Sequence, residues 1–144
     1  MANVVPNAFK GELLSGTHNF ASGGDSFKLA LYTSNPYTTS STAYSSVAGN
    51  EVSGSAAGYS TGGSALTSQA VASSTATASV DFANLTFSSA TFSAAFGAIY
   101  NDDKSDKLVV ILDFGGTKTA TNGDFTIAFP DPSTPSNAII SLTS

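Results

Sequence analysis

The sequence predicts an all-β fold, mainly a β-sandwich for which a jelly-roll-like arrangement stays open, with a short N-terminal arm and helix in front of it. Three observations carry this. In TFSAAFGAIY, Phe92, Ala94, Phe96, Ala98 and Tyr100 fall on one face of a period-two pattern, and Thr91, Ser93, Ala95 and Gly97 fall on the other. After the polar run NDDKSDK comes LVVILDF, where Leu108, Val110, Leu112 and Phe114 share one face. Val109 and Ile111 make the opposite face apolar as well, as in a strand covered on both sides. In TATASVDF, Ala76, Ala78, Val80 and Phe82 alternate with Thr75, Thr77, Ser79 and Asp81, which reads as a strand with one wet face. The hairpin over 92–114 is the expected centre of the domain.

In chain order, residues 1–6 form an extended arm, and Asn7 is placed to cap a short helix, AFKGELLS. Phe9 and Leu13 share one face of that helix and Gly16 offers a left-handed stop. Residues 1–20 are thus an arm and helix, and 21–144 a single β-sandwich domain. FKLALYT is the first strand, with Phe27, Leu29 and Leu31 on one face. Residues 34–63 are a long polar tract, and a loop of that length is either functional or contains short strands. ALTSQAV, TATASVDF and NLTFSS follow as strands or corners before the central hairpin. GGTKTATNGD then turns the chain, with Asn122-Gly123 as the turn dipeptide. FTIAF points Phe125, Ile127 and Phe129 inward, DPSTPSN breaks the pattern with two prolines, and AIISL is the last strand. The signals add up to roughly eight or nine short strands.

Composition excludes several functions. At 144 residues the chain is long enough for one core, and it contains no cysteine, so neither disulfides nor thiolate metal sites can form. Its net charge is -5, arginine is absent, and Lys10, Lys28, Lys104, Lys107 and Lys118 are scattered among carboxylates. No basic face can be assembled for nucleic acid. MANVVPNAFKG lacks the charged-then-apolar layout of a secretory leader, and no apolar run approaches the ~18 residues of a membrane span. No nucleic acid, membrane or cofactor is expected.

Candidate chemistry is sparse. Gly58-Tyr59-Ser60-Thr61-Gly62 matches G-x-S-x-G, but a nucleophile elbow needs a strand–turn–helix corner and a later histidine. The single histidine, His18, precedes the serine, and its expected role is to pack or hydrogen-bond where the helix hands over to the first strand. Asp102, Asp103 and Asp106 could bind a hard cation, but Lys104 and Lys107 are interleaved and a solvated turn is the simpler reading. Asp81 or Asp113 could form a carboxylate pair with one of these three aspartates across the sheet, although nothing in the sequence supports that pairing. Asn84-Leu85-Thr86 is a formal glycosylation sequon. No catalytic or metal residues are assigned, and the chain is read as a non-enzyme. Interaction residues are sought instead at Phe9 and Leu13 on the helix and at Tyr37, Tyr44 and Tyr59 in the polar tract, where hydroxyls and aromatic anchors mix as in binding loops.

Six stretches together resemble small structural proteins of tailed bacteriophages: GTHNF at 16–20, FKLALYTS at 27–34, NEVSGSAAGYSTGGSAL at 50–66, FGAIYND at 96–102, VVILDFGG at 109–116 and NGDFTIAFP at 122–130. The resemblance implies a virion component of the head decoration, or cement, type. Such a protein is made in the host cytoplasm, binds the major capsid protein on the outer head surface and stabilises the head. It also implies self-association, with a homotrimer at capsid threefold positions as the first expectation. A tail, collar or fibre-associated component, able to bind a host surface glycan, is the alternative. An arm reaching a neighbour would account for a short helix with Gly11 inside it.

Overall fold

The elements of the computed structural model, which describes residues 3–131, 134 and 138–143, run as follows. Helix α1 spans Asn7–Leu14, β1 Phe27–Tyr32, β2 Ser64–Ala65, β3 Ala70–Ser73, β4 Thr77–Asp81, β5 Leu85–Asn101, β6 Lys107–Ile127 and β7 Ile140–Thr143, with one 3-10 turn at Tyr44–Ser46. All strand pairs are antiparallel. They make a four-stranded sheet of order β2-β1-β5-β6 and a three-stranded sheet of order β3-β4-β7. This is a β-sandwich of seven strands among the described residues. It has fewer and longer strands than expected, and a four-plus-three order in place of the eight strands of a jelly roll.

The difference in strand count has a local cause. GGTKTATNGD does not turn the chain, because β5 and β6 continue past it as one hairpin of 17 and 21 residues. Gly115 (φ 70°), Gly116 (φ 127°) and Asn122 (φ 52°) adopt left-handed conformations inside β6, and the register shifts four times along the β5–β6 ladder. Bulges absorb an extra residue and bend the strand without ending it. They also change which face a side chain takes. The shift between Ala94 and Phe96 sends Phe92 and Ala94 to the core between the sheets, whereas Phe96, Ala98 and Tyr100 lie on the outer face. A second shift pairs Tyr100 with Leu108 but Ile99 with Val110, so Val109 and Val110 both face the inner core and Leu108 faces out. Val109, Ile111 and Leu108 are all buried, as a strand covered on both sides requires.

The inner core is aromatic and aliphatic. Phe20 stacks on Phe27 at 4.5 Å, Phe92 meets Phe125 at 5.0 Å, and Phe82, directly after β4, reaches Phe27 at 5.7 Å. The second sheet departs from the expected one-wet-face strand. β4 begins at Thr77, Ala76 is exposed and Ser79 is buried, because the segment holding His18 and Phe20 and the end of α1 lie against that face. α1 is preceded by Pro6, not capped by Asn7, whose Oδ1 accepts instead from Lys10 Nζ at 3.3 Å. Gly16 (φ 74°) stops the helix as expected. Upstream, Val4 pairs with Ile111 of the same chain through two 2.8 Å backbone hydrogen bonds, and Phe9 is buried in the inner core. The two-proline break lies largely outside the described residues.

Candidate functional site

The polar tract 34–63 folds back as a lid, its first part lying on the outer face of the four-stranded sheet and Val52 and Tyr59 reaching the inner core. Val47 is buried on the outer face with Ala30, Tyr32, Ala98, Tyr100, Leu108 and Ile111, and Tyr37 and Tyr44 pack against them. Backbone bonds tie the lid to the sheet: Val52 N to Leu31 O, Thr33 N to Asn50 O and Leu108 N to Thr42 O, all at 2.9–3.0 Å. Its lock is Glu51, the single charged residue between 34 and 63. One carboxylate oxygen accepts from the Tyr59 hydroxyl at 2.6 Å and from Gly62 N at 2.7 Å, and the other accepts from the Tyr44 hydroxyl at 2.5 Å. The Tyr59 oxygen also accepts from Leu31 N at 3.0 Å, and the Tyr100 hydroxyl donates to Gly62 O at 2.6 Å. Tyr44 stacks on Tyr100 at 4.9 Å. Gly63 comes so close to β1 that a Cβ there would collide with the Leu29 carbonyl, and its φ of 74° favours glycine as well.

Burial, followed by the charge of Glu51, raises the Tyr32 hydroxyl above its ordinary value. Burial and hydrogen bonding to Glu51 do the same for Tyr44 and Tyr59, and burial beside Tyr44 does so for Tyr100. The Tyr32 hydroxyl, at the bottom of this cluster, is buried with no partner among the described residues.

A second polar network pins α1 and the segment after it to the hairpin end. Asn101 Nδ2 donates to Asp25 Oδ2 at 2.8 Å and to His18 Nδ1 at 3.0 Å, while Asn101 Oδ1 accepts from Asp103 N. Since an amide nitrogen only donates, His18 Nδ1 is the acceptor and Nε2–H donates to Glu12 Oε2 at 3.0 Å. Glu12 Oε1 accepts from Lys107 Nζ at 2.7 Å. The His18 side chain is 0% exposed and both ring nitrogens are bonded, so it is a structural histidine with no lone pair left for a substrate. Burial works to raise Glu12, but the bonds from Lys107 and His18 outweigh it and hold the carboxyl low. In Asp25, burial is likewise outweighed by Asn101, the Asn19 N–H and Lys104.

The remaining candidates separate. Asp102 pairs with Lys28 at 2.9 Å, Asp103 accepts from Ser26 N at 2.6 Å, and the Asp106 carbonyl accepts from Tyr44 N at 2.8 Å. Among the described residues no three His, Asp or Glu side chains gather as a metal site. Asp81 stands opposite Ala70 of β3 and Asp113 opposite Phe96 of β5, so neither faces a turn aspartate across its sheet. Ser60 lies in a turn closed by Gly63 N, followed by the two-residue β2 and not by a helix, so no elbow forms. Asn84 Oδ1 accepts from Phe129 N and holds the end of β6.

Of the residues expected to bind partners, Phe9 and Tyr59 are buried in the inner core. Tyr37 and Tyr44 are half-buried parts of the lid, and Leu13 is half-buried on an apolar face that the sequence reading missed. That face joins Leu14 (90% exposed), Leu142 (59%) and Val71 (55%). Two grooves of about 480 and 290 Å³ run along it and share Leu13, Ile140 and Leu142. The first lies between α1 and β7, and the second reaches Ala78 and Val71. Glu51 and Asn101 were missed too. An isolated acid in a hydroxyl-rich tract was the available signal for Glu51; Asn101, beside three aspartates, looked like turn.

Comparison of the chain with protein-family models, with curated proteins and with solved structures returns no match.

Proposed function

We propose that this chain is a non-enzymatic structural protein of a tailed-phage virion, a decoration protein that binds the major capsid protein on the outside of the head. The observation that carries this reading is where the six phage-like stretches meet in the fold. They contain His18 and Asn101 of one network, Glu51, Tyr59 and Gly62 of the other, and the bulged arm of β6. The likeness is therefore a likeness of structural locks, which suits a rigid module displayed in many copies. Few charges, abundant hydroxyls and an exposed apolar face add support. The test is to mix the purified chain with complete tailed phage particles, sediment them and image them. A copy number matching the head lattice supports the reading. Density confined to the tail or collar moves the protein to the tail-component reading, and no binding contradicts both.

A further inference from the structure

We infer that Asn122 is a site of self-modification, where the chain's own backbone converts the side-chain amide to aspartate and isoaspartate without an enzyme. Asn122-Gly123 is the one Asn-Gly step in the sequence, and it lies inside β6 instead of making a turn. Ala90 faces Gly123 and Phe92 faces Ala120, so Thr121 and Asn122 share the place opposite Thr91. This is a bulge, and Asn122 stands in it in a left-handed conformation (φ 52°), exposed to solvent. Its backbone N–H donates to Thr91 Oγ1 at 2.9 Å, but its side-chain amide has no hydrogen bond among the described residues. The side chains of Asn3, Asn7, Asn19, Asn35, Asn84 and Asn101 are all held by hydrogen bonds. Asn50 is exposed and left-handed too (φ 68°), but Glu51 follows it and not glycine.

Glycine matters here because its nitrogen is the nucleophile. The Gly123 nitrogen attacks the side-chain carbonyl carbon of Asn122, and a Cβ on the attacking residue would crowd that approach. The new N–Cγ bond closes a succinimide, the amide C–N bond breaks, and the leaving nitrogen departs as ammonia with the proton that Gly123 gives up. Water then opens the ring. Breaking the Cγ–N bond leaves aspartate, whereas breaking the bond to the main-chain carbonyl leaves isoaspartate. Water is the one co-reactant and nothing is oxidised or reduced, so heat and time suffice, as for thermolabile asparagines in general. Either product makes the chain one unit more negative than its -5. Isoaspartate also lengthens the main chain by one carbon within the bulge, between the buried Ala120 and Phe125, so the arm of β6 beyond Gly116 should slip against β5.

This site holds or fails independently of the phage reading. The test is peptide mapping by mass spectrometry of the full folded chain, incubated at neutral and at mildly alkaline pH, for wild type, Gly123→Ala and a urea-unfolded wild-type control. A Cβ at position 123 would meet nothing nearer than the Thr121 carbonyl at 3.8 Å, and Gly123 is not left-handed. Gly123→Ala should therefore keep the fold while crowding the attacking nitrogen. Folded wild type should gain the mass of an amide-to-acid conversion at Asn122 before any appears at Asn50, and sooner at the higher pH, because the attack uses the deprotonated nitrogen. Gly123→Ala should lose this early conversion. In the aged wild type, amide exchange along 116–127 should quicken while Ile99 and Val110 stay protected. Conversion of Gly123→Ala at the wild-type rate overturns the proposal. So does a folded chain that keeps Asn122 intact while the unfolded control converts it, since the ladder would then shield the site.

Discussion

The two faces of the β2-β1-β5-β6 sheet are closed by different chemistry. The inner face is closed mainly by burial of phenylalanine and aliphatic side chains, joined by Val52 and Tyr59 from the polar tract. The outer face is closed by a loop whose seal depends on tyrosine hydroxyls and one carboxylate. Burial is non-directional and tolerates small shifts, whereas a hydrogen-bonded lid works only when every donor keeps its acceptor. The inner face should therefore set global stability, and the outer face, whose cover hangs on Glu51, should open first.

The largest effect is expected inside. Phe92→Ala removes a buried ring that contacts Tyr59, Phe87 and Phe125, at a cost of about 3–5 kcal/mol against a total of roughly 5–15 kcal/mol for such a domain. Phe96→Ala, half-buried on the outer face, should cost clearly less, and equal losses in thermal melts would contradict the face assignment made by the bulge.

Glu51→Ala comes next. It strands the Tyr44 and Tyr59 hydroxyls and the Gly62 N–H, and each buried donor left unpaired costs about 1–3 kcal/mol. Tyr59→Phe should destabilise for the same reason, since Leu31 N loses its side-chain acceptor. Tyr32→Phe, which removes a hydroxyl without a described partner, should be neutral or slightly stabilising in chemical denaturation.

Acid and base should act on different regions. Tyr32, Tyr44, Tyr59 and Tyr100 bind their protons more tightly folded than unfolded, so their contribution is intact below about pH 10 and is lost as the pH rises beyond it. Glu12 and Asp25 are held below ordinary values of 4.5 and 3.8, so their contribution is present above those values and is lost as the pH falls through the folded pKa. Alkaline titration followed by tyrosine absorbance should release the lid, and acid should loosen α1 from the hairpin end. The smallest effect belongs to Lys28→Ala, which breaks a solvent-exposed pair with Asp102 worth about 0–1 kcal/mol.

Much of the inner face could be read from the sequence, because alternation reports burial directly: Phe27, Leu29, Leu31, Phe82, Phe125 and Ile127 lie where the pattern puts them. The pattern failed at the bulges, where one extra residue reverses every later side chain, so Phe92 and Phe96 parted company although their spacing puts them together. Asn122-Gly123 and Gly115-Gly116 gave true signals of left-handed backbone, but the same conformations serve a turn and a bulge. The lid was illegible for another reason. Its contacts join residues distant in sequence through hydroxyls and a single acid, and such pairings leave no periodic trace. The apolar face was equally hidden, since Leu14, Val71 and Leu142 come from three separate elements.

The central claim is that Glu51 locks residues 34–63, with Tyr37, Tyr44 and Val47 covering the outer face of the sheet and Val52 and Tyr59 anchored in the inner core. Amide hydrogen exchange on wild type and Glu51→Ala at neutral pH tests it most directly. Faster exchange in the lid, at Val47, Val52, Tyr59 and Gly62, with protection at Ile99 and Val110 retained, is the expected result. Unchanged protection across the lid, or loss of protection throughout the chain, would contradict it.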